Sequence, residues 1–300
     1  MATAYKYEAS NMKKTWLIMS LFFIFIILIG WAFSYYMGSP SILYIAVAFA
    51  LFMNIFSYWN SDKMVIKMSG AKPVDRDTHR DLYNTVENLT IATGLPMPKL
   101  YIMNDPSPNA FATGRNPEHA AVAVTSGLLE MMDKNELEGV LAHELSHVKN
   151  RDILVSTIAV VLVGFIAILS DFFFRSLIFG GNRERGGDAK LQIIFIIVGV
   201  VLAILAPIAA SMIQLAISRK REFLADASGA LMTRYPEGLA SALKKISSYP
   251  TGVKKASHAT AHMYISNPLR EKGLKAKLGK LFMTHPPVEE RIQALKDMGK

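Results

Sequence analysis

The chain has 300 residues and no cysteine, with 51% apolar residues, a mean hydropathy of +0.26 and a formal net charge of +9. That length accommodates one domain of ordinary size plus membrane segments. The lack of cysteine excludes disulfides, a cysteine nucleophile and thiolate metal ligands, so any zinc must be held by histidine and carboxylate. The positive charge suits an anionic membrane surface better than nucleic acid, because no basic-aromatic stripe is present.

Residues 1–15 are polar and mildly basic, with Lys6, Lys13 and Lys14 against Glu8. Trp16 to Met37 is an uncharged run of 22 residues, long enough for a bilayer core of about 30 Å. It is too long for a signal-peptide h-region, and no A-x-A site follows it. Gly38-Ser39-Pro40 reads as a turn, and Ser41 to Trp59 is a second uncharged run of 19 residues. Trp16, Trp31, Tyr35, Tyr36, Tyr58 and Trp59 lie near the ends of these runs, as interfacial aromatics do. The two runs predict a transmembrane hairpin over 16–59. The lysines flanking it (Lys13, Lys14, Lys63, Lys67, Lys72) place both of its open ends in the cytoplasm.

Residues 60–152 read as the first part of a soluble domain. A helix is predicted over Thr78–Thr93, stopped by Gly94. Strands are predicted at Lys99–Met103, Asn109–Thr113 and Ala120–Thr125. Ser126 and Asp133 are candidate caps for the two helices that follow. Short strands mixed with helices make this an α+β domain. Ile153 to Ser170 and Ile193 to Ile217 are again apolar, predicting a second hydrophobic hairpin over 153–217. The loop between them carries Arg183, Arg185 and Lys190, which conflicts with placing it outside the cell. Residues 218–300 return to soluble character. Arg219 to Asp226 continues a helix, another begins at Tyr235-Pro236-Glu237, and His285-Pro286-Pro287 opens the last.

Chemistry concentrates in residues 135–152, where His143, Glu144 and His147 form H-E-x-x-H. Residues four apart share a helix face, so the two imidazoles can reach one metal ion, with Glu144 as general base toward water. On a helical wheel Leu137, Val140, Leu141, Leu145 and Val148 form one apolar arc that includes Glu144. A carboxylate on a buried stripe is costly unless it has a task or a partner. A catalytic zinc needs a third protein ligand, and Glu222 is the strongest candidate. It follows the second internal apolar run as His147 precedes the first, so an antiparallel hairpin brings both to one membrane surface. Asp226, one turn further on, can hold a ligand histidine by its other ring nitrogen. The competing reading pairs Glu222 and Asp226 with Arg219, Lys220 and Arg221 along an exposed helix. His258 and His262 also stand four apart, but with no glutamate between them they read as a surface pair; His285 reads as a capping or packing residue.

His143-Glu144-Leu145-Ser146-His147 with Arg151-Asp152, then a hydrophobic hairpin, then Arg221-Glu222-Phe223-Leu224-Ala225-Asp226, resembles the HtpX family of membrane-bound zinc metalloproteases, relatives of the CaaX prenyl proteases. Asn109-Ala110-Phe111-Ala112-Thr113-Gly114, Asn267-Pro268-Leu269, and Thr284-His285-Pro286-Pro287 with Arg291-Ile292 share the likeness, which spans nearly the whole chain. The resemblance implies a mostly helical α+β integral membrane protein with two helical hairpins and a zincin-like cytoplasmic domain. It implies His143, His147 and Glu222 as ligands of one zinc ion, Glu144 as catalytic base, and Asp226 as their support. It further implies that Asn109, Ala110 and Phe111 belong to an edge strand to which a peptide substrate adds. The activity implied is membrane-protein quality control under stress in a bacterial inner membrane. Two other readings compete. An intramembrane protease would place the motif inside an apolar span, whereas Lys134, Glu136, Glu138, Lys149 and Arg151 flank it here. A non-enzymatic scaffold with a structural zinc would need a fourth protein ligand.

Overall fold

The computed structural model describes residues 2–179, 199, 219–257, 260–269 and 286–299. Helix α1 (Ala2–Met37) and helix α2 (Pro40–Ser69) form the first hairpin. Gly38, at φ 62°, takes the left-handed turn that other residues rarely adopt, and Pro40 opens α2. Basic residues 2–15 continue α1 as helix. The hairpin's outer face exposes Trp16, Ile24, Trp31, Ile45, Phe52 and Trp59. An apolar face of this kind is stable against lipid and costly against water. By length and composition Ala9–Tyr35 and Pro40–Ser69 can each cross a membrane.

The soluble part is built on a four-stranded sheet in the order β1-β2-β4-β3, from Lys72–Pro73 (β1), Lys99–Met103 (β2), Ala110–Gly114 (β3) and Ala120–Thr125 (β4). β1–β2 and β3–β4 are antiparallel, while β2–β4 is parallel. Strand β1 lies where the sequence carries too few residues for a periodic signal. Ala120, Val122 and Val124 face one core with Leu82 and Val86 of α3 (Arg80–Thr93), and Leu141 and Leu145 of α5 (Lys134–Lys149). Ala121 and Ala123 face another, with Val65 and Ile66 of α2 and Val160 and Val161 of α6 (Asp152–Phe179). Burial on both faces is why β4 reads as an unbroken apolar run. The short helix α4 (Ser126–Met131) is capped by Thr125, whose side chain accepts from the Leu128 amide. Ser126 is not the cap; its hydroxyl donates to the Asp105 carbonyl.

Helix α6 is where composition alone is least informative. Leu154, Ile158 and Leu162 pack against Ile18 and Phe22 of α1, while Val160 and Val161 meet the sheet. Its first turns are thus buried in protein on opposite sides. The returning apolar run of 193–217, apart from residue 199, lies outside the described residues, as do the 180–188 loop, His258 and His285. Helices α7 (Arg219–Thr233), α8 (Pro236–Ser248) and α9 (Val288–Met298) complete the described fold and pack on one another, with α7 and α8 also packed on α5.

Candidate metal centre

Helix α5 begins with a reciprocal cap: Asp133 accepts from the Glu136 amide, and Glu136 accepts from the Asp133 amide. It is enclosed by β3, α3, α7 and α8, so its apolar arc, Glu144 included, faces protein. The helix ends at Lys149. Arg151 turns the chain at φ 54°, and α6 departs at 85°. That bend sets Asp152, at the start of α6, back against the last turn of α5.

His143 Nε2 and His147 Nε2 stand 3.3 Å apart. Glu222 of α7 brings its carboxylate to 3.9 Å from the first and 3.7 Å from the second. Each histidine is held from behind: His143 Nδ1 lies 2.9 Å from Asp226, and His147 Nδ1 lies 3.2 Å from Asp152. His147 Nδ1 is within hydrogen-bond distance of Asp152. His143 Nδ1 is only within ion-pair distance of an Asp226 carboxylate whose two oxygens both accept from Arg291. A neutral imidazole protonated at Nδ1, toward its carboxylate, leaves Nε2 as an acceptor. Two nitrogen lone pairs and a carboxylate converging in a buried space repel one another unless a cation lies among them. Among the described residues this is the one group of histidine and acidic side chains arranged to hold a metal ion. The donor set, two imidazoles and a carboxylate, fits zinc with a position left open.

The approach of α7 depends on Gly229. A Cβ there would stand 3.0 Å from the His143 amide nitrogen and 3.2 Å from the Ala142 carbonyl carbon. Asp226 and Glu222 lie one and two turns before it on the same face.

Electrostatics follow from burial and from these partners. Glu144 is 1% exposed, and its Oε1 has no hydrogen-bond partner among the described residues. Burial, reinforced by the charge of Glu222, pushes its carboxyl up to about 7 against the opposing influence of His147. Burial disfavours the charged form of His147, yet the hydrogen bond to Asp152 and the charge of Glu222 prevail and raise it to about 9. His143 is lowered by burial, which outweighs Asp226. Burial works to raise Asp226, but Arg291 holds its carboxyl below the usual range.

The sequence reading named His143, Glu144, His147, Glu222 and Asp226, and the fold brings all five together. It left out Asp152, Arg221 and Arg291 as working groups. Arg291 of α9 grips Asp226 through Nε at 2.8 Å and a terminal nitrogen at 2.7 Å. Arg221 reaches Asp152 at 3.1 Å. Each histidine of the motif is therefore backed by an aspartate, and each aspartate by an arginine. An acid five residues past the motif was the available hint for Asp152; Arg291 had none beyond the family likeness. His262, expected in a surface pair, is buried and lines the cavity with Glu144 and His143.

Strand β3 lies at the edge of the sheet, and its outer side at Asn109–Phe111 meets another segment of the chain. The Ile265 amide donates to the Ala110 carbonyl at 3.0 Å, and the Asn109 side chain donates to the Ser266 carbonyl at 3.0 Å. Phe111 bridges to Tyr264, with their rings edge to face. Residues 264–266 thus lie along the outer side of β3. Leaving that buried edge bare would orphan backbone groups, and the chain's own segment satisfies them.

Peptidase family M48 matches residues 76–299. A protease HtpX homolog of Caldanaerobacter subterraneus subsp. tengcongensis is 46% identical over 300 residues, covering 99% of this chain and 98% of that protein. One from Tropheryma whipplei is 48% identical over 295 residues, covering 98% of each. A crystal structure of S. mikatae Ste24p matches with a TM-score of 0.51 at 17% identity, covering 98% of this chain and 67% of that one, a likeness of fold.

Proposed function

The chain belongs to the HtpX proteases of peptidase family M48 and is a membrane-bound metalloprotease, and from that premise we propose that it is a zinc endopeptidase cutting misfolded or damaged membrane proteins at the cytoplasmic face of a bacterial inner membrane. The observation that carries this reading is the convergence of His143, His147 and Glu222 beside the buried carboxylate of Glu144.

In this reading His143, His147 and Glu222 hold one zinc ion. Bound there, zinc supplies a Lewis acid for the scissile carbonyl and lowers the pKa of water. Glu144 takes the proton from the attacking water and returns it to the leaving amine. Asp226 and Asp152 fix the two imidazole tautomers. The substrate strand adds to β3 along Asn109, Ala110 and Phe111 in place of residues 264–266, which brings its next residues against Ala112 and Glu144. The lysines at both open ends of the hairpin support the cytoplasmic orientation. The exposed apolar faces of α1 and α2 support substrates that share the bilayer.

Glu144→Gln tests the assignment. Purified protein carrying it should bind zinc as tightly as the parent and cleave an unfolded membrane substrate at least about a hundredfold more slowly. Undiminished cleavage by that variant would remove Glu144 from the chemistry.

A further inference from the structure

Asn11 lies in the first membrane helix and is 3% exposed. An uncompensated amide in such a place is costly, so its partners matter. Its Nδ2 donates to Asp152 Oδ1 at 2.8 Å and to the Asn150 carbonyl at 3.3 Å, and its Oδ1 accepts from Arg221 at 2.9 Å. Asp152 then spends Oδ1 on Asn11 and Arg221, leaving Oδ2 for His147 Nδ1 at 3.2 Å.

We propose that Asn11 is a positioning residue for the metal ligand His147, acting through the Asp152 carboxylate. This rests on reading His143, His147 and Glu222 as the metal site. The chemistry explains why an asparagine stands there. The position must donate to a carboxylate and accept from a guanidinium at once. A primary amide does both, whereas aspartate cannot donate and lysine cannot accept. Asp152, so held, keeps the His147 proton on Nδ1 and Nε2 free for metal. The helix that anchors the chain in the bilayer therefore also completes the support of one ligand. Seating of α1 against the junction of α5 and α6 then sets metal affinity. The partners are 141 positions apart in the chain.

The test is a double-mutant cycle on the full chain in detergent. Metal-stripped parent, Asn11→Ala, Asp152→Asn and the double variant are titrated with zinc against a chromophoric chelator, with His147→Ala alongside. The visible spectrum of the cobalt-loaded proteins is recorded as a second readout. Asp152→Asn should weaken zinc binding about 10–100-fold, the usual effect of losing such a support. Asn11→Ala should weaken it about tenfold and alter the cobalt spectrum, and the double variant should bind no worse than Asp152→Asn alone. Parent-like affinity for Asn11→Ala overturns the proposal, as do losses that multiply in the double variant. If His147→Ala binds zinc like the parent, the metal-site reading itself falls and takes the proposal with it. Should Asn11→Ala not fold, Asn11→Gln displaces the amide by one methylene and is judged by the same outcomes.

Discussion

Arg291 and Asp226 form a two-pronged pair in which both carboxylate oxygens are taken, at 2.8 and 2.7 Å, while Arg291 itself is 0% exposed. A third nitrogen of the same guanidinium donates to the Ile265 carbonyl at 2.7 Å. One side chain thus ties the last helix to the support of His143 and to the segment covering β3. Arginine suits this role because its planar fork matches a carboxylate and stays charged when buried.

Replacing Arg291 by Met should be severe, because it strands the Asp226 charge in a buried place. A loss of about 3–5 kcal/mol is expected from breaking such a pair. Arg291→Lys keeps the charge, loses the fork, and should weaken zinc binding within about 10–100-fold. Thermal unfolding in detergent and zinc competition measure the two effects. A stable, tight-binding Met variant would show that α9 is not part of the site.

Gly229→Val should force α7 away from α5, since the contact it meets is the His143 backbone and not a movable side chain. The cost to stability should be about 1–3 kcal/mol, as for other overpacked sites. Zinc affinity should fall by about tenfold or more as Glu222 recedes from the two imidazoles. Unchanged affinity would mean that α7 does not set the ligand geometry.

If residues 264–266 must lift for a substrate strand to bind, locking them should stop proteolysis. The chain has no cysteine, so a Phe111→Cys, Tyr264→Cys double variant carries one disulfide or none. Bridged antiparallel residues lie within about 4.5–5.5 Å between Cα atoms, inside disulfide range. The oxidised protein should hydrolyse protein substrate at least about tenfold more slowly than the reduced one. Equal rates would place the substrate elsewhere.

Glu136 gives a pH prediction away from the candidate metal centre. It accepts from Lys245 at 2.5 Å and Ser241 at 2.6 Å, joining α8 to the start of α5. Burial works to raise its carboxyl, but Lys245, Ser241 and the Asp133 amide hold it below its ordinary 4.5. A depressed carboxylate adds stability that is full above the unfolded value of 4.5 and is lost as pH falls through the lower folded value. Glu136→Gln should therefore lower stability at pH 7 and flatten the decline below pH 4.5. Parallel stability–pH curves for parent and variant would contradict this.

Local pattern was enough for much of this protein. The i, i+4 spacing of His143 and His147, the Asp133 cap, the two uncharged runs and three strands are properties of short stretches. Helical and strand periodicities fix such features directly. Glu222 and Asp226 were legible because the hairpin argument placed two chain segments at one surface. Composition was a poorer guide for α6, whose apolar run served a protein core on two sides through its first turns. What the sequence could not carry was which distant groups meet. Asn11 with Asp152, Arg291 with Asp226, and Ile265 with Ala110 have no shared periodicity, because their contacts arise only when separate elements pack. The histidine pair and Glu144 are thus written locally, while the approach of Glu222, the support of the histidines and the covering of the β3 edge are decided by tertiary packing. A buried polar group finds its partner wherever the fold brings a complementary one within hydrogen-bond reach.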